Sequence, residues 1–225
     1  MYYYYMSRVA RIIAKDYPYH VTQRGNYRQT VFESDADYRQ YLAWLKEYSE
    51  KYSLDIWAYC LMSNHVHFVC VPRNDNSLAR TLNTLHMRYS QYYNRKKGVT
   101  GHLWQGRYYS SILDDRHLYA AIRYVENNPI RAGIVRDPED YTWSSVRGHC
   151  GILSDGILSD TCHLCDEIDD WPRYLREDES AEVVEQLKVN IMSGRPCGDE
   201  DFRKSIEAVV GRSLNIRPRG RPRKE

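Results

Sequence analysis

Apolar positions recur along this chain with two periods, and the switches between them lay out its elements. Tyr17 to Gly25 alternates as a half-buried strand does, and Arg24-Gly25-Asn26 breaks it as a turn. Thr30 to Phe32 predicts a short continuation of strand. Ser34-Asp35-Ala36-Asp37 is a capping-box type of start, after which Tyr38, Tyr41, Leu42, Leu45 and Tyr48 follow at helical spacing to about Tyr52. Leu54 to Met62 and His65 to Val71 predict a hairpin turning at Ser63-Asn64, ended by Pro72 to Asn76. A second helix opens at Ser77, with Leu78, Leu82, Leu85, Tyr89 and Tyr92 in one stripe. Gly98 to Gly106 predicts a loop, Arg107 to Leu113 a strand, and Asp114 or Asp115 caps a third helix running to about Asn127.

The order strand, helix, hairpin, helix, strand, helix predicts an α+β fold, a ferredoxin-like or RRM-like antiparallel sheet with packing helices. Beyond Pro129 the pattern loosens. Asn128 to Gly133 is expected as a turn, and Gly-Ile-Leu-Ser-Asp occurs twice in succession from Gly151, a local duplication in an exposed loop. Val183, Val184, Leu187 and Ile191 fit one short helix; Phe202, Ile206 and Val209 fit another that Gly211 stops. The expected division is a main unit over 7–148, a loop or linker over 149–180, a small helical C-terminal unit over 181–211 and a basic tail over 212–225.

Composition changes this picture in three places. The net charge of +2 does not announce a nucleic-acid binder, but its distribution is uneven. Asp166 to Glu185 is dense in acid, whereas Arg212 to Lys224 holds six basic residues and no acid, which suggests a tail with its own partner. The second helix carries Arg80, Arg88, Arg95, Lys96 and Lys97 off its stripe, a face that is either merely solvated or follows a phosphate backbone. The Tyr2 to Tyr5 run is too short and polar for a signal peptide or a span, so a soluble, cytoplasmic protein with no membrane association is expected. Of six cysteines, Cys60 and Cys70 fall in apolar strands as reduced core residues. Cys162-His163-Leu164-Cys165 resembles half a zinc knuckle, with His149 and Cys150 upstream, although the spacing fits no standard site.

Candidate chemistry begins at His65-Val66-His67. Side chains on a strand alternate between faces, so these two histidines emerge together and can converge on a divalent metal; paired strand histidines also occur as ordinary half-buried polar residues. His20 is expected as a satisfied structural histidine. On the third helix Tyr124 lies off the stripe of Leu118, Ala121, Ile122 and Val125, either as a boundary tyrosine or for a chemical reason. Asn128 is four residues on and would share its face, at the helix end that Pro129 imposes.

His65-Val66-His67 looks like the HUH motif, and Tyr124-Val125-Glu126-Asn127-Asn128-Pro129 resembles the catalytic helix of single-tyrosine HUH transposases, the IS200-like superfamily. Tyr19 to Asn26, Met62 to His67, Leu103 to Arg107 and Asn128 to Gly133 together are similar to REP-associated tyrosine transposases, in collinear order over roughly Val9 to Gly148. The resemblance implies a ferredoxin-like fold and a metal-dependent single-strand DNA endonuclease and strand transferase acting on hairpin or palindromic DNA. It implies Tyr124 as nucleophile, forming a 5′-phosphotyrosine, and Mg²⁺ or Mn²⁺ held by His65, His67 and Asn128. Arg24, Arg107 and Arg131 are the basic members of the shared motifs and candidate DNA contacts. Arg219-Gly220-Arg221-Pro222 in the tail resembles an AT-hook for A·T-rich duplex, which would associate the protein with the nucleoid. Monomer and homodimer both remain open.

Rival readings are a non-catalytic DNA-binding regulator on the same scaffold, a zinc-knuckle module, and a histidine-triad nucleotide hydrolase. The last needs a third histidine where this chain has Val69.

Overall fold

The computed structural model describes residues 11–178 and 180–214. Strand β1 (Tyr19–Arg24), helix α1 (Asp35–Tyr52), the hairpin β2 (Leu54–Met62) and β3 (His65–Pro72), helix α2 (Ser77–Lys97) and strand β4 (Tyr109–Ile112) follow in that order. They build one antiparallel sheet of order β2-β3-β1-β4, the ferredoxin-like topology that the sequence pattern predicts.

Two layers of side chains cover the sheet. On one face Tyr19, Val21, Val66, Phe68 and Cys70 meet Tyr41, Leu45, Leu82, Leu85 and Tyr89 of α1 and α2. Much of this core is tyrosine, and its hydroxyls find partners at two central positions: Tyr89 donates to the Val31 carbonyl at 2.6 Å, and Tyr41 pairs with His86 at 3.0 Å. On the other face Val69, Val71, Ala58 and Met62 meet Leu118, Ala121, Ile122 and Val125 of helix α3 (Asp115–Glu126). The Asp114 carboxylate caps α3 by accepting from the His117 backbone N–H at 2.8 Å.

The structure departs from the expected elements at three points. Val31 and Phe32 are buried but not in a strand, because both donate to the single Ser63 carbonyl, at 2.7 and 3.1 Å, instead of alternating partners in a ladder. Asn128 to Arg131 forms a one-turn helix, α4, after a break at Asn127, with Pro129 tolerated inside its first turn. One short helix, α5 (Val146–His149), leads into the stretch expected as a linker, which itself contains two more, α6 (Leu164–Glu167) and α7 (Trp171–Arg176). Their Val146, Leu164, Trp171, Tyr174 and Leu175 fill the second core. Helix α8 (Ala181–Ser193) buries Leu187 in that core as well, and α9 (Glu200–Val210) sends Ile206 to the first. Among the described residues no helix is long and apolar enough to cross a membrane.

Candidate active site

Strand alternation puts His65 and His67 on the α3 face of β3, beside Val69 and Val71. β1 brings a third imidazole to the same face. Thr22 pairs with His67 and His20 with Val69, so His20 and His67 are diagonal neighbours. Their rings stack at 5.2 Å, with His20 Nε2 3.0 Å from His67 Nδ1. The His65 and His67 rings meet edge-on at 5.0 Å. At the hairpin turn His65 Nδ1 lies 2.6 Å from Asn64 Oδ1, so it donates there and leaves Nε2 as the acceptor nitrogen. Gly25 holds the end of β1 against this turn. Its N–H donates to the Asn64 carbonyl at 2.8 Å, and a Cβ there would stand 2.4 Å from the Gln29 carbonyl oxygen.

Tyr124 comes to the cluster from α3. Its ring stands edge-on to His67 and to His20, each at 5.8 Å, and the Arg131 guanidinium lies 5.0 Å over it. Asn128, buried at the start of α4, hydrogen-bonds the His65 ring through its side chain. The near-helical path through Asn127 therefore keeps Tyr124 and Asn128 on the same side of the chain, as their four-residue spacing predicts.

Burial holds these imidazoles neutral. It pushes His20 down to about 4, and burial with the nearby Arg24 charge does the same to His65. His67 is driven well below the usual histidine range by burial, then by His65, His20 and Arg24. Neutral imidazole is the form that binds a cation. The His20–His67 contact then selects a tautomer. If His67 Nδ1–H donates to His20 Nε2, the His67 Nε2 lone pair is left for a ligand; if the proton sits the other way, it is not. His20 Nδ1 is buried without a hydrogen-bond partner, so the sequence-based expectation of a satisfied structural histidine is not met. Sequence spacing could not have found His20, since its relation to His67 exists only in the strand register.

Two imidazoles and a carboxamide form a donor set that suits a divalent cation of intermediate hardness. Among the described residues no group of three or more His, Cys, Asp or Glu side chains is arranged to hold a metal, so such a site depends on the Asn128 amide.

Of the other predicted residues, Arg24 closes β1 next to His65, its register partner. Arg107 is exposed and lines a groove with Gln23, Asn83, Asn94 and His102, which none of the clustered histidines lines. Arg219, Gly220, Arg221 and Pro222 lie outside the described residues. Cys162 is buried and Cys165 exposed, on either side of the turn that opens α6.

Comparison with known proteins adds three findings. The profile of the family described as "Transposase IS200 like" matches residues 14–128. A Haemophilus influenzae protein assigned as a REP-associated tyrosine transposase is 26% identical over 111 residues, which are 44% of this chain and 63% of that protein. The chain thus spans under two thirds of that relative's length. A solved structure of a REP-associated tyrosine transposase bound to a REP hairpin superposes with a TM-score of 0.53 at 15% identity, covering 70% of this chain and 93% of the other. That likeness concerns the fold.

Proposed function

Because the chain belongs to the IS200-like transposase family, we propose that it cuts and rejoins single-stranded DNA at hairpin-forming palindromes, through a tyrosine-linked intermediate. The observation that carries this reading is the position of Tyr124, whose ring abuts both His67 and His20 on a face of three neutral imidazoles.

In this mechanism the Tyr124 oxygen attacks a backbone phosphorus. A phosphorus–oxygen bond to the tyrosine forms, the bond to the 3′ oxygen breaks, and a 5′-phosphotyrosine and a free 3′-hydroxyl result. The phenol suits a reversible linkage because its phenolate is a competent leaving group when the hydroxyl attacks back. A phenol's ordinary pKa of about 10 means that it must be helped to lose its proton at neutral pH. His65, His67 and Asn128 would hold Mg²⁺ or Mn²⁺, which when bound polarises the phosphoryl oxygen and offsets the charge that develops on it. Asn64 fixes the His65 ring, and His20, by accepting from His67 Nδ1–H, would leave the His67 Nε2 lone pair for the ion. Arg24, beside His65, and Arg131, over the Tyr124 ring, would meet phosphate in this reading. The REP-hairpin specificity of the structural relative is extended to this chain as part of the same proposal. So is the hook-like tail, whose removal at residue 211 should weaken binding to an A·T-rich duplex in a gel shift.

The deciding experiment incubates the protein with end-labelled hairpin DNA and Mn²⁺ and looks for a protein–DNA adduct on a denaturing gel. The wild type should give the adduct; Tyr124→Phe should bind the hairpin and give none. An adduct that survives in Tyr124→Phe moves the nucleophile elsewhere. Binding without any adduct in the wild type favours the non-catalytic regulator.

A further inference from the structure

A second constellation sits behind α3, on residues that strand cleavage does not use. Glu126, the last residue of α3, is completely buried. Its Oε1 accepts from His149 Nδ1 at 2.7 Å and from Ser145 Oγ at 2.5 Å, and its Oε2 from Trp171 Nε1 at 2.7 Å. The His149 side chain is only 3% exposed, and its Nε2 is buried without a hydrogen-bond partner. Cys165 is the thiol that lies within electrostatic reach of this ring. Carboxylate, imidazole and thiol thus neighbour one another from the core outward, and Cys165 is exposed.

Cys162 completes the group. The Cys165 N–H donates to the Cys162 carbonyl at 3.0 Å. A turn closed in this way brings its end Cα atoms to within about 7 Å, overlapping the separations of about 4.4–6.8 Å that a disulfide spans. Cys162 itself is 2% exposed, and its thiol interacts with that of Cys165.

We propose that Cys162 and Cys165 are a peroxide-sensitive dithiol, with Cys165 as the attacking thiolate and Cys162 as the thiol that resolves it. The electrostatics agree with this geometry. The neighbouring Cys162 thiol and then the His149 imidazolium hold Cys165 down to about 5, against the cost of burial. His149 is pushed down by burial, but the Glu126 carboxylate and the Cys165 sulfur outweigh this and raise it to about 10. The Cys162 thiol moves the other way, well above the usual range, and keeps its proton.

With hydrogen peroxide as oxidant the steps balance. The Cys165 thiolate attacks one peroxide oxygen, a sulfur–oxygen bond forms and the oxygen–oxygen bond breaks. The departing hydroxide takes the His149 proton and leaves as water. The Cys162 sulfur then attacks the Cys165 sulfenic acid. A sulfur–sulfur bond forms, the sulfur–oxygen bond breaks, and the hydroxyl leaves with the Cys162 proton as a second water. The two sulfurs supply both electrons.

The test uses the full chain. At about pH 6, between the Cys165 value and a free thiol's value of about 8.5, iodoacetamide should label Cys165 more than about tenfold faster than a free thiol. Brief peroxide treatment should block that labelling and yield a Cys162–Cys165 disulfide in peptide mass mapping. Cys162→Ser should stop at the sulfenic acid, trapped on Cys165 by dimedone, and Cys165→Ser should form neither product. Labelling of Cys165 with the pH midpoint of a free thiol, or peroxide oxidation that spares this pair, overturns the proposal. So does purified protein carrying stoichiometric zinc that Cys162→Ser loses, since both sulfurs would then be ligands.

Discussion

Two buried histidine clusters lie on either side of the C-terminal end of α3, and they hold opposite charge states. His20, His65 and His67 have no carboxylate among their partners, and burial keeps them neutral. His149 is as deeply buried, yet it faces Glu126 at 2.7 Å and is raised to about 10. The difference comes from one acidic side chain. Without it, desolvation decides and the rings remain free bases able to accept a cation; with it, the pair becomes a fixed internal salt bridge. Tyr124 and Glu126, two residues apart on one helix, belong to different clusters.

Removing the acid should have the largest effect. Glu126→Ala leaves the His149, Ser145 and Trp171 donors without their acceptor and breaks the buried pair, and should cost about 3–5 kcal/mol of stability, read from the denaturant midpoint. Truncating the neutral cluster should instead hit chemistry. His67→Ala should lower adduct formation on the order of a hundredfold, with the folded state retained by circular dichroism. A smaller change is expected one shell out: His20→Ala should weaken Mn²⁺ binding about ten- to a hundredfold in calorimetric titration, by releasing the His67 tautomer. If His20→Ala binds Mn²⁺ as the wild type does, the stacking is only packing.

The gentlest lever is pH. Unfolded histidines titrate near about 6.5, whereas folded His20 and His65 do so at about 4 and His86 at about 3. As pH falls, the unfolded chain therefore takes up protons first. Stability should be full above about pH 6.5 and decline from there toward about pH 4. Cys165, held at about 5, adds to that acid loss. His149 contributes no slope there, because it is protonated in both states. Its stabilisation should be lost on the alkaline side, as pH approaches about 10. The thiolate of Cys165 offsets that loss up to a free thiol's value near about 8.5. Urea midpoints across pH would show both limbs, and an acid limb absent from the wild type would mean that the imidazoles are not neutral in the fold.

The first of these clusters was half legible in the sequence, the second hardly at all. Alternation around His65 and His67, the cap at Ser34 and the stripe on α3 are local signals, and the sheet order follows from them. His20 was misjudged because its partner lies across a strand pair whose register no local pattern encodes. Thr30 to Phe32 looked like a strand because burial without a ladder leaves the same apolar signature. The helices α6 and α7 were hidden by acid-rich, irregular surroundings whose few apolar residues reach a core made elsewhere. Nothing local marks Glu126 as buried, since its partners Ser145, His149 and Trp171 arrive from far along the chain.

Those late arrivals bear on how the protein can be cut down. A fragment stopping at Gly148 would contain each side chain assigned to phosphodiester chemistry, and would look complete from its motifs. It would also leave the Glu126 carboxylate inside with a lone serine for company, having discarded the indole and the imidazole that neutralise and seat it. The seemingly dispensable C-terminal third is in this sense the far bracket of the helix that aims Tyr124.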